Sequence, residues 1–116
     1  MEMDDTRESC GIRYATAAVK DRKAFLLVLR SVSDRYSTHI ICFDADKMAG
    51  FRHAEMAVRH ACRSFREGTA ISKSLEMESL LYAAGTRQCS AAVSFGLHEG
   101  TNRLCVCCCP DSPGAW

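Results

Sequence analysis

Eight cysteines, four histidines and a recurring set of arginines are the residues of this 116-residue chain best suited to chemistry. Cys10, Cys42, Cys62 and Cys89 are scattered, whereas Cys105, Cys107, Cys108 and Cys109 form one tight cluster. Strand alternation places Cys105, Cys107 and Cys109 on one face, where cysteine serves as a small buried hydrophobe. A metal or redox role for the cluster is the competing reading. His53 and His60 are seven residues apart and share a helix face, but no Asp, Glu or Cys completes a ligand set at the usual spacing. Glu76 and Glu78 are two apart on a helix and diverge, which suits a helix-start role better than acid–base catalysis.

The arginines form a pattern. Arg52, Arg59 and Arg66 recur every seven residues, and Arg63 falls on nearly the same helix face. With Lys73, the stretch from Gly50 to Ser74 holds five Lys/Arg against two Glu. A charged stripe is commonly a solvated helix face; the alternative is a stripe that tracks phosphate or a partner. Arg87 and Gln88 follow Gly85 and Thr86 at a helix–turn–helix corner. At the first turn of a helix they can hold an anion; otherwise Arg87 pairs with Glu76 or Glu78 and stiffens the corner. Tyr82 can stack on a base if exposed, although its apolar neighbours point to a core position.

These residues need elements to position them. Gly11–Val19 reads as a strand, and Asp21 caps a helix with Phe25, Val28, Leu29 and Val32 inward. His39–Phe43, wholly apolar, reads as a buried central strand. A long helix from Lys47 to Glu67 buries Ala54, Ala57, Val58, Ala61 and Phe65, and Gly68 ends it. Ser72 or Ser74 caps the next helix, which Gly85 stops. A helix from Arg87 to about Phe95 and a last buried strand, Arg103–Cys109, complete the order. The expectation is one α/β domain over residues 10–109, a small mixed sheet packed against several helices, with flexible tails at 1–9 and 110–116.

Composition narrows the function. A net charge of +1 gives no global case for nucleic-acid or membrane binding, so such a surface must be local. The longest apolar runs are too short to span a bilayer, and the acidic start MEMDDTRE is unlike a signal peptide. A cytosolic location with reduced thiols is expected. The glycines are isolated stops and turns, so there is no phosphate-cradling loop, and neither cofactor nor metal is expected.

The run Leu75–Met77 with Glu78, Leu80, Leu81, Tyr82 and Ala83, then Gly85, Arg87 and Gln88, resembles the signature of the TPRKB-type kinase-binding subunit of the KEOPS complex. The upstream run Phe43–Gly50 (FDADKMAG) resembles the same family, and together the matches span roughly residues 40–100. The resemblance implies an archaeal-type, non-catalytic subunit that binds the small atypical kinase/ATPase of KEOPS. It also implies help in recruiting tRNA, through its single-stranded 3' CCA end, for threonylcarbamoyladenosine modification beside the anticodon. On that reading Lys73, Arg87 and Gln88, with Arg52, Arg59, Arg63 and Arg66, form the RNA-facing set. Cys89 stands where the family usually has a larger aliphatic residue, and the last strand is cysteine-rich rather than valine-rich. A cysteine-cluster metal or redox protein, and a protein-interaction module without RNA binding, are the alternatives.

Overall fold

The computed structural model describes residues 10–109, 114 and 116. The tail expected at 1–9 lies outside these residues, as does most of that at 110–116. Three strands, β1 (Gly11–Val19), β2 (His39–Asp44) and β3 (Gly100–Cys109), combine with helices α1 (Arg22–Arg35), α2 (Phe51–Glu67), α3 (Leu75–Ala84) and the single turn α4 (Cys89–Ala92). The fold is the expected small α/β arrangement, but the sheet is antiparallel throughout, in the order β1-β3-β2. β1 and β2 run the same way because α1 crosses between them. β3 inserts between the two, so no parallel ladder forms. The cysteine-rich strand, not His39–Phe43, is therefore central.

The sheet has helices on both faces. Cys105, Cys107 and Cys109 of β3, with Ile41 and Phe43 of β2, pack on Ala54, Ala57 and Val58 of α2 and Ala83 of α3. Small residues on α2 let its backbone approach the sheet closely. The other face carries Leu104 and Val19, with Leu97, Phe25 and the half-buried Val106. The formal C-x-x-C spacing of Cys105 and Cys108 thus splits the two between opposite faces, and Cys108 Sγ meets Thr38 Oγ1 at 3.3 Å. α1 covers its face loosely. Val28, expected inward, is 59% exposed and Leu27 is 68% exposed, while Ser33 is the buried residue of this helix.

Three boundaries differ from expectation by more than one residue, and the last strand, expected from Arg103, begins at Gly100. The helix expected from Lys47 begins at Phe51, after a 3-10 turn over Ala45–Lys47 in which Asp44 accepts from the Asp46 amide at 3.0 Å. Gly50, at φ +130, separates the two in a conformation open essentially to glycine alone. The helix expected from Arg87 shrinks to one turn from Cys89, followed by a 3-10 turn over Val93–Phe95. Thr86 Oγ1 takes the Gln88 amide in a local turn, and a four-residue helix returns few hydrogen bonds for its nucleation cost. Phe65, expected in the core, is 39% exposed, and Cys62 and Ser64 are buried instead.

The expectation of fully reduced thiols is corrected. Cys10 and Cys109 form a disulfide. The β1–β3 register pairs Gly11 with Cys108, so Cys10 falls directly opposite Cys109, and their Cα atoms are 4.3 Å apart. Sequence spacing carried no sign of this contact between residues 99 apart, which the β1–β3 register creates.

Candidate nucleic-acid interface

α2 and α3 form an antiparallel pair, and the loop between them is held by one buried carboxylate. Gly68 caps α2 in the left-handed conformation and Ser74 caps α3, accepting from the Met77 amide at 3.1 Å. Glu78, 1% exposed, turns back into the loop. It accepts from the Ser72 amide at 2.9 Å, the Ser72 hydroxyl at 2.8 Å and the Ile71 amide at 3.2 Å. Glu76 points elsewhere and meets His39 Nδ1 at 3.1 Å. That hydrogen bond raises the His39 pKa above its ordinary value against the opposing effect of burial. Burial pushes the Glu76 carboxyl up, but the His39 hydrogen bond, a backbone hydrogen bond and nearby positive charge hold it below the ordinary range. Both carboxylates are thus structural, and neither pairs with Arg87.

At the other end of the helix pair, His53 ties α2 to α3. Its Nδ1 accepts from the Ala49 amide at 2.9 Å, so Nε2 carries the proton and donates to the Ala83 carbonyl at 2.9 Å. Both nitrogens are committed, which removes His53 as a ligand. Among the described residues no three His, Cys, Asp or Glu side chains gather as a metal site.

The arginine stripe lies opposite the buried face of α2. Arg52, Arg63 and Arg66 are exposed and Arg59 is half-buried, with its Nη2 donating to Glu55 at 3.0 Å. The buried Arg59 Nε has no hydrogen-bond partner among the described residues. On one flank, His60 stacks on Tyr82 with ring centroids 5.3 Å apart. Tyr82 remains 43% exposed, its hydroxyl bonded to Ser64 Oγ, so it is a fixed aromatic surface rather than the core residue its neighbours suggested. Arg59, Arg63 and Arg66 also line a cleft of about 190 Å³ between α2 and the sheet, shared with His60, Cys10, Cys62 and Cys107.

The structure does not gather the whole expected set. Arg52 continues the arginine face beyond the cleft. Lys73 lines a separate groove of about 900 Å³ along the outer edge of β2, with Leu75, Leu80, Leu26 and Leu29. Arg87 and Gln88 are exposed on the corner after α3 and line neither cavity. Because α4 is one turn long, the anion site expected at its start has no helix behind it. Cys10 and Cys62, absent from the expected set, are placed against the arginines. Cys62 was legible as the flank of the stripe, one residue before Arg63, but Cys10 was not.

Among the described residues no helix is long and apolar enough to cross a membrane. No family model and no curated protein matches this chain.

Proposed function

We propose that this chain is a non-catalytic adaptor of the KEOPS type, docking on the small atypical kinase/ATPase and presenting a basic, aromatic-flanked helix to tRNA. The resemblance of Leu75–Gln88 to that family supplies the identity of the partners. One structural observation supports it most: four arginines share the outward face of α2, beside the stacked and half-exposed His60–Tyr82 pair. Basic side chains that meet phosphate, next to an aromatic surface that can stack on an unpaired base, suit a single-stranded RNA end. Leu27 and Val28, left exposed on α1, offer the kinase an apolar surface remote in sequence from the RNA-facing helix. A cytosolic location belongs to the same proposal.

The test uses the purified chain with intact tRNA and tRNA lacking its CCA end. The expected result is weaker binding of the truncated tRNA, and weaker binding of intact tRNA by Arg63→Glu/Arg66→Glu. Equal affinity for both tRNAs and no effect of the charge reversal would overturn the RNA half. Leu27→Asp is expected to weaken capture of the purified kinase subunit; unchanged capture would remove α1 from the docking surface.

A further inference from the structure

We propose that the cleft between α2 and β1 is a site for a small anionic thiol, which exchanges with the Cys10–Cys109 disulfide. The proposal goes beyond RNA binding and rests on two features of one cavity. The first is access. Cys109 is fully buried and borders the other groove, whereas half-buried Cys10 lines the cleft of about 190 Å³, so Cys10 is the half-cystine that this cleft presents. The second is charge. Arg59, Arg63 and Arg66 line the same cleft against Glu55, whose carboxylate already holds Arg59, and leave a positive surplus.

The chemistry balances with the thiol as reductant. The ligand thiolate attacks Cys10 Sγ, the S–S bond breaks, and Cys109 leaves as a thiolate that takes up a proton. A second thiolate attacks the ligand sulfur of the mixed disulfide and expels Cys10. Two ligand thiols are oxidised to one disulfide, and the protein disulfide gains two electrons and two protons. Cys62 and Cys107 share the cleft, and burial raises the Cys62 thiol pKa, with Arg66 drawing it partly back. Held as a thiol, Cys62 is a weak internal competitor, which leaves the external thiol to carry the exchange.

The test is reduction of the oxidised chain by mercaptoacetate, 2-mercaptoethanol and cysteamine, which carry a negative, neutral and positive group. Each rate is divided by the rate of the same thiol with a small uncharged disulfide. Mercaptoacetate is expected to lead cysteamine by roughly tenfold or more, with a trapped mixed disulfide on Cys10. Arg63→Gln/Arg66→Gln should abolish that preference, and Lys20→Gln/Lys23→Gln, an equal loss of charge at exposed positions elsewhere, should keep it. Equal normalised rates, a preference that survives loss of the cleft arginines, or eight titratable thiols in chain purified without reductant would each overturn the proposal. The readout is thiol exchange, so it stands or falls independently of tRNA binding.

Discussion

Replacing Glu78 should unlatch the loop that carries Lys73, and the size of the effect follows from its contacts. The carboxylate is 1% exposed and receives the Ile71 amide, the Ser72 amide and the Ser72 hydroxyl. Hydrogen bonds to a charged group contribute about 1.5–3 kcal/mol each, but they are not additive. Ile71 is 46% exposed, so water can recover part of what its amide loses. Glu78→Ala should therefore cost about 3 kcal/mol, a sizeable part of the roughly 5–15 kcal/mol that holds a domain together. In a domain of this size that lowers Tm by roughly 10 °C. Glu78→Gln keeps the shape and one acceptor but turns an NH2 toward donors, and should lie between wild type and Ala. Glu76→Ala is the control: its bond to half-exposed His39 should be worth under about 1 kcal/mol. Urea unfolding gives the free energies, and hydrogen exchange at the Ile71 and Ser72 amides reports the loop. Equal costs for Glu78→Ala and Glu76→Ala, with unchanged protection at 71 and 72, would refute the reasoning.

Reducing Cys10–Cys109, or replacing both residues by serine, removes a cross-link of sequence separation 99 and should cost about 4–5 kcal/mol on the chain-entropy account, read as a lower urea midpoint. The His39–Glu76 pair should give a shallow stability maximum in pH. The raised His39 pKa contributes stability that is complete below about 6.5 and is lost as pH rises through the folded value. The lowered Glu76 pKa contributes stability present above about 4.5 and lost as pH falls through its folded value. Both groups are more than a third exposed, so screening keeps the effect under about 1 kcal/mol, and His39→Gln should flatten it in a pH series of unfolding curves. Phe43→Ala, at a fully buried ring between sheet and helices, should cost about 3–5 kcal/mol, and retention of the wild-type midpoint would place that ring outside the core.

Much of the fold was legible because local patterns dictated it. The β1 limits, the Asp21 cap, a serine cap at Ser72 or Ser74, the Gly68 and Gly85 stops and the small-residue face of α2 follow from neighbouring residues alone. Strand order was not legible, since the apolar composition of β2 reflects cover on both faces and says nothing of whether a strand is central. The Arg87–Phe95 segment reads as a helix because its alanines suit one, while the Thr86 turn and the brevity of the segment decide otherwise. The site was half legible. Periodicity put four arginines on one face, but only tertiary register could bring Cys10 to them.

The two sides of α2 show why that half was readable. Its inner side must fit the sheet, so Ala54, Ala57 and Ala61 are small, and sequence pattern reports this directly. Its outer side has no packing demand that fixes four arginines there, and a solvated helix could use lysine or glutamate equally well. Arg59 is where the stripe departs most from a purely solvated face. A solvated guanidinium meets only water, whereas Arg59 is half-buried and its Nη2 is held by Glu55. Arg59, Arg63 and Arg66 line the cleft, whereas Arg52 does not. Charge reversal at Arg52 should then weaken a phosphate-tracking contact modestly, while reversal at Arg63 and Arg66 should affect both RNA and anionic thiol.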